Sequence, residues 1–217
     1  MTHIADLGRR VELVPMDSHC HGIAIALYEQ PDGRGRPEYL VHSYSRLSGV
    51  GERIAFVARA MVVLGGMLAA PGDPRRLRFP CGAGHRLACR RAFLEACKIE
   101  TGTLPEPRPL EIHDKKTDRT IRVASSGGGE YRLSADGEED GKDRRIAAVG
   151  GGLMKLAAMT SAAGGAERVT FDCGQPHDAL VGLLLGRALN VRAAMREIDL
   201  TQSRGVLAAP GAKAVDP

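Results

Sequence analysis

The chain has 217 residues, a net charge of +4 and a pI near 8.9. That length buries a sizeable core as one domain or two small ones. The charge is mild, the arginines are dispersed and aromatics make up 4% of the chain, so the strong basic face and stacking platforms of a nucleic-acid binder are not in evidence. The longest apolar runs, such as 54–64, fall short of the roughly 20 residues a membrane span needs, which speaks against a membrane protein. Cysteines at 20, 81, 89, 97 and 173 make no secreted-type framework, and Met1-Thr-His-Ile-Ala-Asp6 lacks a signal-peptide pattern, so a reducing cytoplasm is the expected location.

In chain order, residues 1–10 read as a loose arm, and Val11 to Pro15 and Gly22 to Glu29 as strand. Between them His19, Cys20 and His21 form the densest set of metal-capable atoms, with both histidines on one face of an extended chain. A turn at Gln30 to Pro37 leads to a strand from Glu38 to Ser45, whose alternation sends Tyr39 and Val41 to one face and Leu40, His42 and Tyr44 to the other. Gly51 to Leu68 is apolar nearly all round and reads as a helix laid across the sheet. Pro71-Gly-Asp-Pro74 is a turn, Arg76 to Pro80 a strand, and Arg86 to Ile99 a helix with a wet stripe of Arg86, Arg90, Arg91, Glu95 and Lys98.

Leu104-Pro-Glu-Pro-Arg-Pro109 breaks helix and central strand alike and reads as a seam. Beyond it the plan returns: strand at 110–113 and 120–124, a Gly-rich turn, strand at 130–134, helix at 145–159, strand at 168–172 and a very apolar helix from His177 to Arg196. Gly150-Gly-Gly152 lacks the Lys-Ser/Thr of a phosphate loop and reads as a close helix contact. The last helix is expected against its sister helix or a second subunit, which suggests a homo-oligomer, and the tail after Ala208 reads as disordered.

An offset of 92 positions, without gaps, aligns residues 53–100 with 145–192 and gives 14 identities in 48 pairs. Chance gives roughly one in twelve, about four. The matches include Arg53/Arg145, Leu64/Leu156, Met67/Met159, Phe79/Phe171, Cys81/Cys173, Gly82/Gly174 and His85/His177, with Tyr39/Tyr131 in register upstream. The sequence thus reads as an internal repeat. It predicts an α+β fold of two tandem β-β-α-β-α half-domains, 11–104 and 105–200, related by a pseudo-twofold and packed as one unit, with a partly disordered tail at 201–217.

The centre of the repeat is Arg76-Leu-Arg-Phe-Pro-Cys-Gly-Ala-Gly-His85 and its second copy, Arg168-Val-Thr-Phe-Asp-Cys-Gly-Gln-Pro-His177. Each ends a strand in Cys-Gly-x-x-His and opens a helix. Cys81, His85, Cys173 and His177 are a standard zinc set if the halves bring them together. Two other readings stay open. A cysteine near a helix N-terminus has its thiolate favoured and becomes a nucleophile with histidine as base, or the motif is a small buried cysteine, a turn glycine and a histidine capping the helix.

The tandem halves, the helix that starts at a histidine after a strand, the run from Pro176 to Leu189 and the ending Thr201-Gln-Ser-Arg-Gly-Val-Leu207 resemble imidazoleglycerol-phosphate dehydratase. That resemblance implies the duplicated half-domain fold and phosphate contacts from Ser203 and Arg204. The family's His-His-x-x-Glu manganese ligands are absent, since the junctions read Gly84-His-Arg-Leu87 and Pro176-His-Asp-Ala179. The resulting expectation is a small-molecule enzyme of lyase or hydrolase type acting on an anionic metabolite. A divalent metal, zinc or manganese, would be its Lewis acid, and His19 or His21 its acid/base group. The alternative is a non-catalytic oligomeric binding or scaffold protein that keeps the duplicated fold.

Overall fold

The computed structural model describes residues 7–15, 24–44, 49–99, 102–115, 118–136, 142–162 and 167–190. His19, Cys20, His21, Ser203, Arg204 and the tail at 201–217 lie outside the described residues.

The first half runs β1 (Arg9–Pro15), β2 (Ala24–Pro31), β3 (Pro37–Ser43), α1 (Val50–Gly65), β4 (Leu68–Ala70), β5 (Asp73–Arg78) and α2 (Arg86–Lys98). The second runs β6 (Glu111–Asp114), β7 (Arg119–Gly127), β8 (Glu130–Ala135), α3 (Lys142–Ala157), β9 (Thr160–Ser161), β10 (Arg168–Thr170) and α4 (Asp178–Ala188). Each half forms its own antiparallel five-stranded sheet, ordered β1-β2-β3-β5-β4 and β6-β7-β8-β10-β9. The α+β class and the two-part plan are as expected, but each half is β-β-β-α-β-β-α. β4 escaped because Gly66-Met-Leu68 continues the apolar run of the helix. Gly66 takes the left-handed conformation at φ 59°, stopping α1 and turning Leu68 into a strand that pairs with Arg78.

The alternation in β2 and β3 sorts side chains as the pattern requires. Ile25, Leu27, Tyr39 and Val41 enter the main core, while Ala26, Tyr28 and Leu40 join Leu7 in a separate cluster on the outer face. The outer face of the second sheet instead carries exposed Arg122, Arg132 and Ser134. One continuous core takes residues from both halves. α1 lies on β3 and β5, α3 lies on β8 and β10, and the helices touch one another across the seam as α1 with α4, α2 with α3 and α2 with α4.

Gly152 shows why α3 carries glycines: a Cβ there would lie 2.6 Å from the carbonyl oxygen of Ala188 on α4. Arg91 corrects the wet stripe assigned to α2. It is 1% exposed, because α2 is wedged against α1, α3 and α4 rather than against one neighbour. No helix among the described residues is long and apolar enough to cross a membrane.

Candidate metal centre

β5 and β10 run out at Arg78 and Thr170, and a tight turn carries each chain into its helix. In both turns the N–H of the glycine donates to the carbonyl of the phenylalanine three residues before it, Gly82 to Phe79 and Gly174 to Phe171, each at 3.0 Å. Gly82 and Gly174 sit at φ 74° and 67°, a left-handed conformation that any Cβ would strain. The turn brings residue i+4 back over residue i, so each histidine faces the cysteine of its own half. Cys81 Sγ lies 3.2 Å from His85 Nε2, and Cys173 Sγ lies 3.2 Å from His177 Nε2.

The two junctions meet. The ring centroids of His85 and His177 are 4.5 Å apart, and one donor atom from each of Cys81, His85, Cys173 and His177 lies within 4.8 Å of all the others. The phenylalanines wall the site reciprocally. Phe79 packs edge-on to His85 at 4.8 Å and to His177 at 5.7 Å, and Phe171 to His177 at 4.8 Å and to His85 at 5.4 Å. Both phenyl rings are buried.

The electrostatics follow from this shielding. Burial lowers the pKa of both imidazoles and keeps them neutral. For His177, burial together with the His85 ring next to it brings the value down to about 4. Burial pushes the Cys81 thiol up, while the Ala83 N–H, donating to its sulfur at 3.4 Å, pulls the other way. Neither histidine caps its helix through its side chain, although each occupies the N-cap position. The capping reading therefore fails for the imidazoles, which are left to face sulfur.

Each junction is also braced by the tyrosine that recurs at the 92-residue offset. Tyr131 Oη accepts the His177 N–H at 2.5 Å and donates to Asp178 Oδ1 at 2.7 Å. Tyr39 Oη donates to Glu29 Oε1 at 3.0 Å, and Glu29 in turn holds Arg86 at the start of α2. No local motif marks these supports in the sequence, although Tyr39/Tyr131 and Phe79/Phe171 are identities at the 92-residue offset. The nearby arginines are engaged by carboxylates: Arg75 pairs with Asp73, Arg76 with Glu38 and Asp73, and Arg90 with Glu12.

Tetrahedral zinc with Zn–S of about 2.3 Å and Zn–N of about 2.0 Å places its ligand atoms roughly 3.3–3.8 Å from one another. The Cys–His pairs stand close to that spacing and the widest separation exceeds it by about 1 Å, within reach of small side-chain rotations. Two sulfurs and two imidazoles are soft-to-borderline donors suited to zinc rather than to oxygen-loving manganese. The residues fit the ion. Comparison with protein-family models, with curated proteins and with solved structures finds no match to this chain.

Proposed function

We propose that the protein binds one zinc ion through Cys81, His85, Cys173 and His177, and that the ion clamps the two halves into a binding or scaffold protein. The observation that carries this reading is the convergence of four donors, two from each half, within 4.8 Å. Four protein ligands fill a tetrahedral shell, as structural zinc sites do, whereas catalytic sites keep a position for water or substrate. Neutral imidazoles are already in the ligating form, and binding would release the thiol protons. The reciprocal contacts of the two phenylalanines with the two histidines support a local twofold between the halves, and with it the duplicated half-domain plan resembling the dehydratase.

The second reading is a metal-assisted lyase or hydrolase on a small anionic metabolite. It is favoured by the partial exposure of both sulfurs, since release of one cysteine would open a coordination position. Metal analysis of untagged full-length protein tests the zinc proposal: one zinc per chain is expected, lost in Cys81→Ser and in Cys173→Ser. Metal-free protein with unchanged stability in both variants would end it. Turnover of a phosphorylated or carboxylated compound by the zinc-loaded chain would decide for the enzyme.

A further inference from the structure

We infer that Cys81 and Cys173 are a peroxide-sensitive thiol pair, which a hydroperoxide converts into a disulfide between the two halves with expulsion of the zinc ion. The released ion depends on the zinc proposal above, while the covalent bond depends on the thiol pair alone.

Three observations carry it. The two sulfurs come from different halves yet lie within 4.8 Å of each other, and an S–S bond of about 2.05 Å asks them to approach by the remaining gap. Both are partly exposed, as is Cys97, whereas Cys89 is fully buried beside Met67, and among the described cysteines only Cys81 and Cys173 belong to the cluster of four donors. Each of the two sulfurs also has an imidazole nitrogen of its own half 3.2 Å away, which holds it in the shared site.

The chemistry balances as follows. One thiolate attacks the peroxide oxygen and breaks the O–O bond, giving a sulfenic acid and releasing water or an alcohol after protonation. The second thiolate attacks the sulfenic sulfur, forming S–S and expelling hydroxide, which leaves as water. Two thiols are oxidised by two electrons in all, and the hydroperoxide is the species reduced. With both sulfurs in the disulfide, only His85 and His177 remain as ligands, too few to hold zinc against solvent.

Zinc-loaded and chelator-stripped full-length protein are treated with a few-fold excess of hydrogen peroxide. Released zinc is read with a chromogenic chelator, free thiols by titration in denaturant, and linkages by peptide mapping. The loaded protein is expected to release one zinc for every two thiols lost, the mapped link being Cys81 to Cys173, with thiols and zinc binding restored by dithiothreitol. Cys97→Ser is expected to behave like the parent. Zinc that stays bound, or cysteines that end as sulfinic or sulfonic acid without the cross-link, would overturn the inference. A link that forms in protein unable to bind zinc would uphold the thiol pair while ending the zinc proposal.

Discussion

The two Cys-Gly-x-x-His junctions agree where the metal would sit and differ almost everywhere else. Both hold sulfur 3.2 Å from imidazole, both turn on a left-handed glycine, and both set a buried phenylalanine edge-on to the rings. The helix that follows is polar-sided in the first half and built of Leu180, Val181, Leu183, Leu184 and Leu185 in the second. The tyrosine brace is rerouted through Glu29 and Arg86 in one and lands directly on the His177 N–H in the other. Even Arg53 and Arg145, identical at the repeat offset, serve different partners, the carbonyl of Cys97 and the carboxylate of Asp114. The packing around the two junctions differs while the sulfur-to-imidazole spacing is the same, as two equal contributions to one shared ion would require.

The equivalence of the junctions is broken most severely by removing one of them. Cys81→Ser and Cys173→Ser should each lower zinc affinity by roughly 1,000-fold or more, and to a similar extent, because a closed site cannot spare either half. Competition with a chromogenic chelator measures this, and a large inequality between the two variants would mean that one half binds alone. Next in size, Phe79→Ala and Phe171→Ala should each destabilise the fold by about 3–5 kcal/mol in urea unfolding, since each ring is buried against both histidines.

Acid comes third. The unfolded His177 imidazole takes up its proton near pH 6.5 and the folded one near 4. Between those values the unfolded chain binds the extra proton, so metal-free stability should fall as pH falls through that window, by on the order of 3 kcal/mol once it is crossed. Denaturant midpoints of His177→Gln that keep the full acid slope would contradict this. The smallest effect separates the two braces. Tyr131→Phe leaves the buried His177 N–H without its acceptor and should cost about 1–3 kcal/mol. Tyr39→Phe removes a single bond to the Glu29 carboxylate, which keeps its pairing with Arg86, and should cost less, about 1 kcal/mol. Equal costs would erase the distinction.

Much of this plan was legible in the residues. The 92-residue offset announced the two halves, and Cys81, His85, Cys173 and His177 stood out because two otherwise different stretches share them. Alternation in β2 and β3 gave the core face correctly, since period two leaves little freedom once one face is buried. β4 was hidden because Gly66 and Leu68 extend a helical apolar run, and only the left-handed turn at Gly66 separates them. Arg91 was misplaced because helical periodicity on α2 knows nothing of the three other helices that close around it. The distance between the junctions could not be read at all: no local pattern states that residues 92 apart share a point in space.

X-ray absorption at the zinc edge of the native full-length protein reads the shared Cys2His2 shell itself. The expected signal is a four-coordinate ion with two sulfur neighbours at about 2.3 Å and two imidazole nitrogens at about 2.0 Å. A shell made only of light oxygen or nitrogen atoms, or one with a single sulfur, would contradict a site closed by Cys81, His85, Cys173 and His177 together.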